Sequence, residues 1–266
     1  MNSQDVLVIP GAWTRASAFG DVRDTLDTAG FASRLIELPV RSRKVPQFDR
    51  GGLRAIDDLL DREIAACPSP PVLVGHSLGG LAALRAAKRA PIRALVLLMP
   101  AHPSGMLPIV AGSSGGSAVN ALRLLGTALS VTAVSRLVNL VAPDRVPSIV
   151  PRGLYSSDMT SDRIREALIH RADESWSVLL EVAAGSREPL EPVGAPTLIV
   201  AGLQDHITPT KALRPLAEAL GASYIEADVA HAFNEEPSFT LVTDQIVRFV
   251  NGLEPLNAAT AKPVRT

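Results

Sequence analysis

Six short runs dense in Val, Leu and Ile, at residues 6–10, 32–38, 71–75, 94–99, 197–202 and 223–227, punctuate the chain and predict β-strands. Their apolar residues are nearly continuous rather than alternating, as expected of strands covered on both faces. Helix-length stretches lie between most of them. In residues 51–66 the side chains of Leu53, Ile56, Leu60 and Ile64 fall on one helical face, and 78–90, 209–220 and 238–252 carry comparable patterns. This alternation specifies an α/β fold: a mainly parallel six-stranded sheet with helices on both faces and right-handed crossovers.

One connection breaks the rhythm. Between Met99 and Thr197 lie 97 residues, whereas ordinary strand–helix connections run to about 2–6. A structured insertion is expected there. It opens with a Gly/Ser piece at 112–117, read as a hinge. A helix follows over 119–141, with Val119, Leu122, Leu125, Leu129, Ala133, Leu137 and Leu140 at helical spacing, and further helical patterns lie at 161–170 and 174–184. The expected organisation is a core of residues 1–100 and 190–253, a helical cap insertion at 101–189 and a flexible tail at 254–266. Arg123 and Arg136 inside the long apolar helix argue against a membrane span. The Gly/Ser piece lacks the lysine and the leading strand of a phosphate-binding loop.

Charge and composition then narrow the partners. Against 27 acidic residues stand 26 basic ones, spread along the chain, so no footprint for nucleic acid or an anionic membrane is visible. Cys67 is the sole cysteine, which excludes an internal disulfide and a thiolate-rich metal site. The N-terminus has no basic region ahead of an apolar one, so a cytoplasmic protein is expected. Nothing in the sequence calls for a metal, flavin or nucleotide: no cofactor is expected, the partner is a small-molecule substrate, and an oligomer is possible.

The candidate chemistry sits at the ends of the predicted strands. Gly75-His-Ser77-Leu-Gly79 follows the run at 71–75 and opens the helical stretch at 78–90. Small residues at 75 and 79 permit a sharp strand-to-helix turn that lifts the Ser77 hydroxyl above the sheet as a candidate nucleophile. A serine hydroxyl needs a base within hydrogen-bond reach. Of five histidines, His231 lies in the loop between the sixth run and the last helix, at the carboxyl edge where open α/β sheets bind ligands. His76 should point away from Ser77 and pack; His170 and His206 read as solvated. His102, just after the run ending at Met99, is a candidate for the pocket wall, with a structural role as the alternative. Asp205, in the turn after residues 197–202, suits the acid that orients the histidine; Asp228, three residues before His231, is its competitor. The Pro10-Gly11-Ala12-Trp13 turn after the first run can aim the Ala12 amide at a developing oxyanion, with Leu78 as the second donor and Trp13 in the pocket or the core.

These segments, in the order Ser77, Asp205, His231, resemble the α/β-hydrolase superfamily over residues 5–252. Pro-Gly11-Ala-Trp13 and the stretch from Asp158 to Ser175 are similar to small bacterial serine esterases and monoacylglycerol-lipase-like hydrolases. The resemblance implies Ser77 as nucleophile, His231 as base, Asp205 as orienting acid, Ala12 and Leu78 as oxyanion donors, and a sheet without an antiparallel first hairpin. Many relatives have His-Gly where this chain has Pro10-Gly11, which removes hydrogen bonding that braces the oxyanion loop. Gly11, lacking the threonine hydroxyl of related hydroxynitrile lyases, disfavours cyanohydrin chemistry, and Ser77 disfavours the dehalogenases and epoxide hydrolases that use an aspartate. Three functions stay open. They are hydrolysis of an ester, lactone or thioester with an apolar portion through an acyl-enzyme; cyclisation, elimination or acyl transfer by the same triad; and a catalytically weak ligand receptor.

Overall fold

All six apolar runs are strands in the computed structural model, which describes residues 4–39, 51–106, 153–169, 171 and 174–253. They are β1 (Asp5–Ile9), β2 (Ala32–Leu35), β3 (Val72–His76), β4 (Ala94–Leu98), β5 (Thr197–Gly202) and β6 (Ser223–Ala227). Every pairing is parallel, in the order β2-β1-β3-β4-β5-β6. The sheet is therefore wholly parallel among the described residues. β2 stops three residues short of the apolar run. After Ile36 donates to Val8 O at 2.9 Å, the chain meets Pro39, which has no N–H for the ladder.

Period-two alternation sorts the strand side chains into two cores. Leu7, Ile9, Leu73, Leu95, Leu97 and Ile199 pack against α2 (Gly52–Ala65), α3 (Leu78–Ala87) and a later helix, Thr210–Leu220. Val6, Val8, Val72, Val74, Val96, Leu98 and Val200 pack on the opposite face against α1 (Gly20–Thr28) and the last helix, Thr240–Asn251. Between β4 and β5 the described residues hold α4 (Ser161–Ile169) and α5 (Trp176–Ala184), so Thr210–Leu220 is α6 and Thr240–Asn251 is α7. Helix α1 has no counterpart in the sequence pattern because only Val22 and Leu26 turn inward among charged neighbours. The expected hinge at 112–117, the helix at 119–141, His170 and the tail at 254–266 lie outside the described residues. None of the helices among the described residues is long and apolar enough to cross a membrane.

The β3–α3 junction is built on missing side chains. A Cβ at Gly75 would overlap the Gly79 carbonyl, and one at Gly79 would overlap the carbonyls of Ile9 and Pro10. Helix α3 thereby starts in backbone contact with the ends of β1 and β3. Charge pins it further along, where Asp57 of α2 accepts from Arg85 of α3 at 2.5 Å and pairs with Arg89 at 3.1 Å. Because the obstructing atoms at Gly79 are main-chain oxygens, Gly79→Ala should lose at least about 1–3 kcal/mol, the usual cost of overpacking. Urea unfolding measures this, and an unchanged midpoint would contradict the close approach.

Candidate active site

Ser77 sits between β3 and α3 with φ 52° and ψ −117°, a left-handed conformation that costs a non-glycine residue about 1–3 kcal/mol. Its main chain is held from both sides. The Ser77 N–H donates to Leu98 O at 3.0 Å, and its carbonyl accepts from Leu81 N and Ala101 N at 3.1 and 2.9 Å. The hydroxyl is thus presented at the carboxyl edge of the sheet.

Two further loops meet it there. Ser77 Oγ lies 3.0 Å from His231 Nε2, and His231 Nδ1 lies 2.7 Å from Asp205 Oδ2. The carboxylate can only accept, so Nδ1 carries the ring proton and leaves Nε2 free to take the serine's. Asp205 is saturated with donors: Oδ1 accepts from Ile207 N (2.7 Å) and Thr208 N (2.9 Å), and Oδ2 also accepts from Thr208 Oγ1 (2.7 Å). Burial alone would push this carboxyl up, but the facing His231 and the hydrogen bonds from His231 and Thr208 hold it below its usual range. It stays an anion, and the orientation of the imidazole follows.

The His231 loop is clamped by residues that precede α4. His231 N donates to Gly153 O at 3.0 Å, Ala232 N to Leu154 O at 2.8 Å, and Ser156 N to the buried Glu236 at 2.8 Å. Tyr155 Oη donates to Glu235 at 2.6 Å, and Arg171 joins the same carboxylate at 2.9 Å. His76 holds the loop from below, its Nε2–H donating to the His231 carbonyl at 2.8 Å. Its ring packs among Phe19, Phe233 and His231. Burial, then the neighbouring His231, pushes the His76 imidazole down to about 3. It is a fixed neutral donor.

The turn after β1 forms the facing wall. Thr14 N closes it on Gly11 O at 3.3 Å, Trp13 adopts φ 57°, and Trp13 N donates to Glu174 Oε2 at 3.3 Å. The amides of Ala12 and Leu78 donate no hydrogen bond among the described residues. Both residues line, together with Ser77, a pocket open to solvent whose empty space, the open mouth included, is about 800 Å³. Trp13, Met106, Trp176, Leu179 and Ile207 form much of the wall, and no charged side chain is among the described lining residues.

The sequence-derived residues converge with one exception. Ser77, Asp205 and His231 form a continuous relay, and Ala12, Leu78 and Trp13 face the same cavity. His102 does not line it. Its Nδ1 accepts from Ser104 N at 3.2 Å, which fixes the ring in the turn after β4 and satisfies the structural alternative. Asp228 is exposed and accepts from Gln204 at 2.9 Å, away from the relay. Thr208, Glu174 and the loop-holding role of His76 were missed. A signal existed for His76, which continues the Val72, Val74 face of β3, and for Thr208, three residues after an aspartate as in side-chain-capped turns. None existed for Glu174. Among the described residues, no group of three or more His, Cys, Asp or Glu side chains is arranged to hold a metal ion.

A model of the alpha/beta hydrolase family matches residues 6–242. An esterase from Thermogutta terrifontis superposes at 18% identity over 94% of this chain and 90% of its own, with a TM-score of 0.69. A pyrethroid hydrolase from Sphingobium faniae does so at 16% identity over 94% and 98%, TM-score 0.65. A monoacylglycerol lipase from Paleococcus ferrophilus does so at 19% identity over 92% and 93%, TM-score 0.64. At such identities the likeness is one of fold. Among curated proteins no sequence matches.

A buried neutral histidine has a consequence for stability. Unfolded, His76 titrates near 6.5, whereas folded it does so at about 3, so between those values the unfolded chain binds a proton that the native one refuses. Stability must fall as pH falls through that window. Between pH 7.5 and 5.0 the wild type should lose about 2 kcal/mol more than His76→Gln, from about 1.4 kcal/mol per pH unit below 6.5. Urea unfolding at the two pH values checks this; equal losses would show that His76 is not the buried neutral group.

Proposed function

The chain belongs to the alpha/beta hydrolase family, and from that premise we propose that it is a serine hydrolase, cleaving a carboxylic ester, lactone or thioester through an acyl-enzyme. The observation that carries this reading is the unbroken relay of 3.0 and 2.7 Å from Ser77 through His231 to Asp205. Ser77 Oγ attacks the carbonyl carbon as His231 Nε2 takes its proton. The imidazolium so formed is steadied by the Asp205 anion. The carbonyl oxygen, now negative, is held by the Ala12 and Leu78 amides, the latter at the positive end of α3. On collapse His231 returns the proton to the leaving oxygen or sulfur. A water then repeats the attack on the acyl-enzyme, with His231 as base, and frees the acid and Ser77.

The lining of the cavity supports an apolar, uncharged group beside the scissile bond. Trp13, Met106, Trp176, Leu179, Leu180 and Ile207 offer no partner to a charge, and a charge desolvated there would be penalised. The unpaired Ala12 and Leu78 amides support the oxyanion assignment, since donors left without acceptors are available to a substrate.

Replacing the nucleophile tests the reading directly. Ser77→Ala should lower kcat on an activated aryl ester by roughly 10⁶ and abolish labelling by a fluorophosphonate probe. Turnover in ¹⁸O-labelled water should place one label in the released acid; unlabelled acid or intact turnover in the variant would contradict an acyl-enzyme at Ser77. Specificity should follow the wall. Among acyl chains of equal length, a neutral alkyl ester should exceed its ω-carboxylate analogue at least about tenfold in kcat/KM, the effect of an unpaired buried charge. Equal values would place the acyl chain elsewhere.

A further inference from the structure

The turn that carries Ala12 is strained, and its conformation is held from a distant part of the chain. Trp13 has φ 57°, in a region that bulky side chains avoid at a cost of about 1–3 kcal/mol. Its local restraints are the Thr14 N–H to Gly11 O bond at 3.3 Å and Thr14 Oγ1 donating to Ala12 O at 3.1 Å. Another main-chain donor of the turn, Trp13 N–H, points to the carboxyl of Glu174, 161 residues later in sequence, at 3.3 Å. That carboxyl is buried, with 5% of the residue exposed, and its second oxygen accepts from Ser175 N at 3.1 Å.

The geometry points to Glu174 as a positioning residue for the oxyanion turn, an inference that rests on the hydrolase reading. By accepting from Trp13 N–H, Glu174 fixes the plane of the Ala12–Trp13 peptide. The Ala12 N–H belongs to the neighbouring Gly11–Ala12 peptide, whose carbonyl accepts from Thr14 N–H at 3.3 Å. With both planes held, Ala12 cannot turn about φ or ψ without breaking one of the two bonds, and its N–H keeps its direction. Glu174 is not among the residues lining the cavity and touches no reacting atom. Its charge cannot be the useful property, because a negative carboxyl near a developing oxyanion opposes it. The contribution is the acceptor and its reach. Since Glu174 immediately precedes Ser175 and α5, whose Trp176 and Leu179 line the cavity, the same segment that shapes the substrate wall also sets the oxyanion donor. Correct assembly of the donor therefore depends on docking of the β4–β5 connection.

Two conservative substitutions separate reach from charge. Glu174→Gln keeps one acceptor oxygen at full length for Trp13 N–H, without the charge and with its amide nitrogen turned toward Ser175 N–H; Glu174→Asp keeps the charge and withdraws the acceptor by one methylene. If Glu174 positions the turn, Glu174→Gln retains kcat within about threefold of wild type, while Glu174→Asp loses about 10- to 100-fold, a part of the 10²–10³ carried by a whole oxyanion donor. KM for a neutral aryl ester should stay unchanged in both. A trifluoromethyl ketone, which forms an oxyanion at the serine, should bind Glu174→Asp more weakly by the same factor as the fall in kcat. Circular dichroism and melting of both variants keep the comparison among folded proteins, and Glu174→Ala should repeat the Glu174→Asp result. Two outcomes overturn the inference: kcat and ketone affinity unchanged in Glu174→Asp, or Glu174→Gln as impaired as Glu174→Asp. A wild type that shows neither Ser77-dependent labelling nor ester turnover would instead overturn the hydrolase reading on which it stands.

Discussion

Everything at the carboxyl edge depends on the contact of main chain against main chain where α3 leaves β3. Gly75 and Gly79 let the first turn of α3 reach the carbonyls of Ile9 and Pro10, and only at that distance does Ser77 take φ 52° and stand clear of the sheet. The cost of that conformation, about 1–3 kcal/mol, is offset by the three main-chain hydrogen bonds around residue 77 and by the fully buried Leu7, Ile9, Leu73, Leu95 and Leu97 beneath it. The same approach brings the β1 turn and the α3 N-terminus together. One packing constraint therefore presents the hydroxyl and brings to the same cavity the Ala12 and Leu78 amides, which donate no hydrogen bond among the described residues.

The electrostatics of the site follow from how the two polar loops are satisfied. Asp205 stays ionised in a buried position because four donors converge on it, and a buried carboxylate without them would be neutralised. His231 is fixed from three directions: Asp205 on its ring, Gly153 on its amide, and His76 on its carbonyl. His76 suits that last role because burial keeps it uncharged. A second cation there would compete with the imidazolium that the proposed mechanism forms on His231.

The architecture was legible because parallel strands buried on both faces leave a dense apolar signature, and because loops after such strands are where α/β sheets gather ligands. That logic located Ser77, Asp205 and His231 and preferred Asp205 over Asp228. Elsewhere it was blind. Helix α1 buries only Val22 and Leu26, too little for a pattern to register. His102 was placed by adjacency to β4, but adjacency does not fix direction, and the turn through Ser104 holds its ring out of the cavity wall. The turn at Pro10-Gly11 lacks the His-Gly bracing of many relatives; Thr14 restrains it locally, and Glu174 adds a restraint from far along the chain. No local pattern could reveal that, since the partner is set by folding across 161 residues.

The long β4–β5 connection is consequently more than a cover. Residues 153–156 bind the loop that carries His231, and Glu174 binds the turn that carries Ala12, so one connection restrains both loops at the cavity. Arg171 and Tyr155 tie it down by sharing the Glu235 carboxylate within the His231 loop. Buried polar networks of this kind give little net stability relative to apolar packing, but they enforce a single arrangement, because any displaced member leaves an unpaired charge behind. The relay carried by the sheet and the Ala12 amide carried by the β1 turn are therefore coupled through a segment that contributes no side chain to the Ser77–His231–Asp205 relay. Displacement of that segment would loosen the His231 loop and the Ala12 turn together.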